Sequence, residues 1–209
     1  MPELGLFPLP LVLMPTERLP LHIFEPRYKE LIGECLDSDA EFGLVLATGD
    51  GAVHDVGTRA RVDEVLDMLD DGAMNVVVRG DERFRLLELT TGRSFTTCLV
   101  EPMEDENEPP NPEDAARALA LFGELVEASE SEVDIPDAAT DALDFVLAAH
   151  VDIGTDEKQE LLASTSPRLR MERLVVLLEL ALESTKLQKT LRERSGRNGK
   201  VTPFGPGEP

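Results

Sequence analysis

One short segment near the middle of the chain divides the sequence into two different kinds of pattern. Residues 101–114, EPMEDENEPPNPED, contain seven acidic residues and four prolines and almost no apolar side chain. This composition is typical of an exposed connection with no core of its own. The sequence before it is mostly of strand type, and the sequence after it is helical. We therefore expect a strand-rich subdomain at 1–103, a linker at 104–112, a helical bundle at 113–194 and a flexible tail at 195–209.

The first part reads as short strands joined by tight turns. The apolar runs LFPLPLVLM and FGLVLAT are strand candidates, and so are the two segments that flank Asp71-Gly72. An Asp-Gly pair supplies the positive φ values that a hairpin turn requires. A second reversal is expected around Arg79-Gly80-Asp81, before further strands. Five or six short strands with hairpin connections predict a compact antiparallel sheet or a partly closed barrel.

A single helix is predicted to interrupt these strands, directly after RLPLHIFEP at residues 18–26. Pro26 suits the first helical position, where its missing N–H would have no partner in any case. The apolar side chains then follow the i, i+3, i+4, i+7, i+8 spacing of one helix face. These residues are Tyr28, Leu31, Ile32, Cys35 and Leu36.

The residues around the start of this helix are expected to be architectural. We expect Phe24 and Tyr28 to pack the helix onto the sheet, with His22 in the same structural role. Glu25 and Arg27 would fix the direction in which the chain enters the helix. The pattern thus predicts a buried aromatic pair at 24 and 28.

The second part is predicted to be helical throughout. Asn111 can cap a first helix that opens with a proline. The longest helix should begin at Pro167 and reach about Arg194. Its apolar residues are densest at 174–182 and become sparser afterwards. We therefore expect its first half to be packed and its second half to project.

Charge and composition exclude several classes of partner. With 42 acidic and 20 basic residues the net charge is −22, which repels a phosphate backbone, so nucleic acid is not expected as a partner. The basic segment 186–200 fits a helix C-terminus that complements the helix dipole. No apolar stretch is long enough for a membrane span, and the acidic, proline-rich start does not fit a secretory signal. Two cysteines without CxxC spacing indicate reduced thiols, and we expect a cytoplasmic protein.

No pattern in the sequence predicts a catalytic or metal site. No phosphate-binding loop, nucleophile elbow or HExxH motif is complete. The histidines, His22, His54 and His150, lack ligand spacing. The carboxylates at 104–106 are expected to form a solvated run. We therefore expect no cofactor, no metal and no enzymatic activity.

Four separated blocks carry a resemblance to a known family. The blocks are LFPLPLVLMPTERLPLHIFEPRYKELI, FGLVLA, VGTRARVDEV and NVVVRGDERFRLLEL, and DEKQELLASTSPRLRMERL follows in the helical part. In order and wording they resemble the N-terminal substrate-binding domain of the Lon protease family. The resemblance implies an α+β fold, with a β-rich PUA-like subdomain followed by a helical bundle. It also implies recognition of substrate or partner proteins. Because neither a Walker loop nor a Ser-Lys protease segment is present, the chain is expected to be a stand-alone domain.

These observations favour a non-enzymatic module that binds unfolded or partner protein segments, with a protease as one expected partner. Two alternatives stay open. One is a small hydrolase with His22 as base and Glu25 as its orienting carboxylate. The other is an RNA binder, because related PUA-like folds bind RNA, although the net charge opposes it. The sequence does not predict the oligomeric state.

The expected binding surface lies on the strand-rich part. It comprises two leucines before the first helix and a later arginine-rich strand, namely Leu19, Leu21, Arg79, Arg83, Phe84 and Arg85. Arginines in an acidic chain could orient an acidic or backbone-carbonyl partner beside an apolar patch. The open alternative is that Phe84, Leu86 and Leu89 are core, with the arginines paired to neighbouring acids such as Asp81 and Glu82.

Overall fold

The computed structural model describes residues 3–49 and 51–198. In these ranges the chain forms six strands and five helices. In chain order they are β1 (Leu4–Leu9), β2 (Arg18–Ile23), α1 (Pro26–Ser38), β3 (Phe42–Ala47), β4 (Val53–Met68), β5 (Met74–Thr90), β6 (Thr97–Pro102), α2 (Pro112–Ser129), α3 (Leu143–Ala149), α4 (Thr155–Ala163) and α5 (Pro167–Asn198). The predicted α+β class, with strands first and helices second, is confirmed.

The strands form one mixed sheet in the order β2-β5-β4-β3-β1-β6, and β6 also pairs with β5. Five strands therefore pair in a closed cycle, compatible with a partly closed barrel, and β2 extends from β5 outside it. The pair β1 and β3 is parallel, whereas the sequence predicted an antiparallel sheet. The reason is that β2 and α1 lie between them and form the long crossover that parallel neighbours require.

Strand β5 does not reverse at Arg79-Gly80-Asp81, so the second predicted turn is wrong. The strand continues from Met74 to Thr90, pairing with β2 in its first half and with β6 in its second half. Gly80 is therefore not needed for a turn; its lack of a side chain matters for packing. A Cβ atom at this position would collide with the carbonyl oxygen of Met14, so the glycine permits the close approach of a neighbouring chain segment.

Helix α1 covers one face of the sheet through four of the five residues of the predicted apolar stripe, and the fifth, Leu36, is 38% exposed. Tyr28 is buried, and its ring centroid lies 4.1 Å from that of Phe7. Arg27 Nε donates to Glu25 Oε2 at 2.9 Å, as expected at the start of the helix. Phe24, however, is 60% exposed, so the prediction that it packs the helix onto the sheet is wrong. It lies beyond the end of β2 and stacks on His22, at 5.8 Å between centroids.

The helices α2 to α5 share a core with part of the sheet. Their buried apolar side chains form one cluster with four residues of the strand-rich part, Val12, Met14, Leu46 and Val56. Gln159 of α4 also donates to the Val56 carbonyl at 3.1 Å. Asn111 caps α2 as predicted, accepting from the Glu113 N–H at 3.0 Å. Helix α5 extends to Asn198, and residues 199–209 of the predicted tail lie outside the described residues.

Candidate functional site

The strands β2, β5 and β4 share a face that is turned away from α1, which we call the outer face. Residues paired across neighbouring strands lie on the same side of a sheet. The pairing therefore produces three rows on this face: Arg18, Arg79 and Arg61; Pro20, Val77 and Glu64; and His22, Asn75 and Asp67. The opposite face carries Ile23, Met74, Val76 and Val78, which are buried against α1.

A group of exposed apolar side chains lies where these three strands end. We call it the tip patch: Phe24, Leu66, Met68 and Leu69, exposed by 60%, 54%, 63% and 40%. The last paired row is Ile23, Met74 and Met68, and Phe24 follows Ile23 directly. Large apolar side chains clustered at a surface are a feature of interaction sites in proteins.

Three of the four tip-patch residues, Leu66, Met68 and Leu69, lie directly before a well-connected turn. Gly72 has φ 78°, as the predicted Asp71-Gly72 hairpin requires. The Asp71 carboxylate accepts from the Ala73 N–H at 2.9 Å, and this hydrogen bond lowers the pKa of Asp71. Lys29 of α1 donates to the Asp71 carbonyl at 2.8 Å. The turn is therefore tied both to itself and to α1, so the apolar side chains are presented by a supported element.

At the other end of the outer face, the first row brings three guanidinium groups together. Arg18 pairs with Asp63 at 2.8 Å, and Arg61 pairs with Glu41 at 3.2 Å and with Asp81. Like charges directly opposite each other destabilise a sheet unless neighbours neutralise them. The central Arg79 is exposed and forms no ion pair with the residues that the structure describes. It is thus available to an acceptor on another molecule.

The structure separates the predicted binding residues into two groups. Leu19 and Leu21 are half-buried on β2, the strand at the edge of the sheet, and Arg79 lies on the neighbouring β5. Phe84 and Arg83 are buried, so neither reaches the surface. Arg85 is exposed on the second half of β5, where it pairs with Asp55 at 3.1 Å. The first three residues therefore lie on the same strands as the outer face, and Arg79 stands at the end of that face away from the tip patch.

The structure agrees with the open alternative for Phe84, which is core, and for the pairing of Arg83 and Arg85 with acids, but not for Leu89. Leu89 is 49% exposed, and Leu86 is only half-buried. The arginines at 83 and 85 pair with carboxylates other than Asp81 and Glu82.

Arg83 belongs to a buried ion cluster that joins the sheet to the helices. Its Nη1 donates to the carbonyls of Leu162 and Ser164, at 2.7 Å each, and its Nη2 donates to Asp105. Arg170 of α5 donates to Asp105 through two nitrogens, at 2.7 and 2.8 Å. Its Nε donates to Asp144 at 2.5 Å. The cluster thus holds β5, the linker and α5 together.

Asp105 was expected in a solvated run; its side chain is still one-third exposed, but it also pairs with two buried arginines. Burial alone would raise its pKa, but hydrogen bonds and charge from Arg170 and Arg83 outweigh burial and hold the pKa below its usual range. The Phe145 ring lies close to both cations, with its centroid 4.0 Å from the Arg170 guanidinium carbon and 5.1 Å from that of Arg83. The predicted linker is therefore anchored at this carboxylate.

The arrangement offers little for catalysis. His22 Nδ1 lies 2.7 Å from the amide oxygen of Asn75, while Glu25 is engaged by Arg27, so the expected base and carboxylate do not pair. Burial raises the pKa of both thiols, Cys35 and Cys98, to about 11, which keeps them protonated at neutral pH. In the described ranges, no His, Cys, Asp or Glu side chains gather in the threes that a metal site needs. The same ranges contain no helix of the length and apolarity that crossing a bilayer demands.

The residues that sequence reasoning missed are those of the tip patch. The signal was present in EVLDMLDDG, where four apolar residues precede a turn that is normally polar.

Comparison with solved structures identifies the class of fold. A Lon N-terminal domain protein from Xanthomonas campestris is similar at a TM-score of 0.67 and 27% identity, over 84% of this chain and 98% of that one. The N-terminal domain of Mycobacterium avium complex Lon protease has the same fold, with a TM-score of 0.66 and 17% identity, over 86% of this chain and 98% of that one. The fold is that of a Lon N-terminal domain.

Sequence comparison identifies the family. The family model of the ATP-dependent protease La (LON) substrate-binding domain matches residues 3–179, and the chain belongs to this family. The Lon protease of Anaeromyxobacter dehalogenans is 29% identical over 196 residues, which are 86% of this chain and 23% of that protein. Lon protease 2 of Myxococcus xanthus is 28% identical over 86% of this chain and 24% of its own length. The chain thus spans about a quarter of these relatives.

Proposed function

We propose that this chain is a non-enzymatic module that captures extended, apolar segments of other proteins at the end of the sheet where β2 and β4 end, with the tip patch as the main contact. The observation that carries the proposal is the exposure of four large apolar side chains at the ends of β2 and β4, beside a supported turn. Single exposed apolar side chains are common on proteins, whereas several close together mark interaction sites.

The surroundings of the tip patch fit an extended polypeptide. Strand β2 lies at the edge of the sheet, where a bound segment can add backbone hydrogen bonds beside Leu19 and Leu21. Arg79 can donate to a carboxylate or a backbone carbonyl of that segment. The net charge of −22 disfavours nucleic acid on the same face.

Membership of the family supports the same conclusion, since the matching domain type is described as substrate-binding. Two finer parts of the proposal are the absence of ATPase and protease activity, and a protease as partner. A cytoplasmic location stays a prediction. Incubation of the purified chain with ATP and with generic ester and peptide substrates tests the first part. Turnover abolished by a point substitution in this chain would contradict it.

Titration with a permanently unfolded protein tests the binding surface. Reduced, carboxymethylated α-lactalbumin, added to isotopically labelled chain, should shift amide signals in residues 18–28 and 61–79. Phe24→Ser and Met68→Ser should each weaken binding by roughly tenfold, as expected for an apolar anchor. The matched control is Leu89→Ser, which removes a leucine that is 49% exposed on the other half of β5. Shifts confined to residues beyond 113, or equal losses in the control, would contradict the proposal.

A further inference from the structure

The outer face forms an open path between the tip patch and the row of three arginines. Its paired residues are exposed, apart from Val77 and Asn75, which are half-buried. Helix α1 packs on the opposite face of these strands. Because the outer side chains are open to solvent, a polypeptide segment held at the tip patch can continue along β5 toward Arg79.

The length of this path follows from the geometry of β5. Asn75, Val77 and Arg79 alternate with buried residues, so they stand on one face of the strand. At about 3.3 Å per residue, Arg79 lies roughly 17 Å from Met74, which belongs to the last paired row beside the tip patch. An extended segment rises by the same amount per residue. A side chain about five residues from the apolar anchor of the segment is therefore level with Arg79.

Arg79 differs from the two arginines beside it. Its neighbours in the row, Arg18 and Arg61, are both engaged by carboxylates of this chain. Arg79 is exposed and has no ion-pair partner in the part of the chain that the structure describes. A guanidinium group presents paired N–H donors that match the two oxygens of one carboxylate. Arg79 is therefore the member of the row to which a carboxylate of another molecule can bind.

The acidic residues of the outer face restrict where such a carboxylate can lie. Asp67, between two residues of the tip patch, forms no ion pair within the described ranges and repels a carboxylate beside it. The second row offers Pro20 and Val77, which suit an apolar side chain. Around the first row, by contrast, carboxylates of this chain are already paired with Arg18 or Arg61. An acidic side chain of the segment is therefore best accommodated at the level of Arg79.

We propose that the segments captured by this chain carry an acidic residue about five positions from their apolar anchor, and that Arg79 binds its carboxylate. This inference rests on the proposed function and adds a specificity to it. The tip patch supplies the anchor, and Arg79 fixes the register of the segment along the outer face. The spacing applies to both chain directions of the segment, because an extended chain has the same rise in either direction.

Fluorescence anisotropy with labelled peptides tests the proposal. Each peptide carries one Leu-Phe-Leu anchor in a Ser-Gly background and a single Asp placed two, five or nine residues before or after it. The reference peptides carry Asn at the fifth position. We expect Asp at the fifth position to lower the dissociation constant by roughly five- to tenfold relative to Asn, in at least one direction. This preference should shrink as the salt concentration rises.

A matched pair of arginine substitutions assigns the preference to one side chain. Arg79→Gln should reduce the difference between the Asp and Asn peptides to about onefold, and because the residue is exposed, the thermal midpoint should change little. Arg117→Gln removes an arginine of α2 whose side chain is 60% exposed, with the same change in net charge. It should keep the preference in full.

Phe24→Ser separates this inference from the proposed function. If the Asn peptides bind and Phe24→Ser weakens them, the tip patch acts as the anchor without help from Arg79. Equal affinities for Asp and Asn, a preference for another spacing, a preference that survives Arg79→Gln or an equal loss with Arg117→Gln would then overturn the inference alone. Failure of every peptide to bind, or binding that Phe24→Ser does not weaken, would contradict the proposed function and the inference together.

Discussion

Substituting Phe24 and Phe84 in turn tests which of the two rings belongs to the core. Phe84 is buried and Phe24 is exposed, whereas the sequence suggested that Phe24 is core and that Phe84 is at the binding surface. Phe84 is fully buried among Leu4, Val45 and their neighbours. A Cβ atom at Gly43 or at Gly57 would lie 2.8 Å from Phe84 Cζ, so the ring occupies the space that two glycines leave. When Phe84→Ala removes the ring, neither glycine has a side chain that could fill the cavity.

We expect Phe84→Ala to lower the free energy of unfolding by about 3–5 kcal/mol, toward the upper end because the cavity cannot collapse. For a chain of this size that corresponds to a fall of roughly 6–20 °C in the thermal midpoint. Phe24→Ala should change the free energy of unfolding by no more than about 0.5 kcal/mol, as is usual for exposed positions. It should nevertheless weaken binding of the unfolded polypeptide.

Guanidinium unfolding followed by circular dichroism measures both free energies, and scanning calorimetry measures the midpoints. Phe84→Leu serves as a control, because it keeps most of the apolar volume and should cost far less than Phe84→Ala. Equal destabilisation by Phe24→Ala and Phe84→Ala would refute the assignment of one ring to the core and the other to the surface.

Two further predictions concern the ion cluster and a close backbone contact. Because the folded-state pKa of Asp105 is depressed, its contribution to stability is present above its unfolded pKa of about 4 and is lost as the pH falls through the folded pKa. Asp105→Asn should therefore flatten the acid side of the stability curve measured by urea unfolding, and an unchanged slope would argue against the pairing. Gly80→Ala should cost about 1–3 kcal/mol, because its Cβ meets the Met14 carbonyl. Gly33→Ala, in the interior of α1 with open space around it, should stabilise the chain by about 0.5–1 kcal/mol, and the same sign for both glycines in calorimetry would contradict this explanation.

Local sequence patterns were sufficient to predict the helices and strands, but the location of the site residues depends on long-range contacts. The helical spacing of Tyr28 and Leu31 was sufficient to place α1, and Asp71-Gly72 was sufficient to place its hairpin, because both signals act within a few residues. The partners of Arg83 lie 22 to 81 residues further along the chain, and no local pattern reports them. The arginine was therefore assigned to a surface although it is buried.

The exposure of the tip patch was hidden for a related reason. Alternation along β4 suggests that half of its residues are buried, but two register shifts after Val62 disturb the alternation. All residues of β4 from Asp63 onward are exposed, although several of their partners on β5 are not. Where a bulge falls depends on the partner strand, so sequence periodicity alone could not place it.

The core shared by α2 to α5 and the sheet has a consequence for synthesis on the ribosome. Residues 1–103 emerge first, and by then all six strands are available to pair. The apolar side chains of Val12, Met14, Leu46 and Val56, however, wait for the helices that cover them. Until α5 has left the exit tunnel, these four side chains of the nascent sheet remain exposed. Exposed apolar surface of this kind can bind chaperones or associate with other chains. The acidic segment 101–114 thus separates two kinds of sequence pattern, but the residues on its two sides share one core and complete folding together.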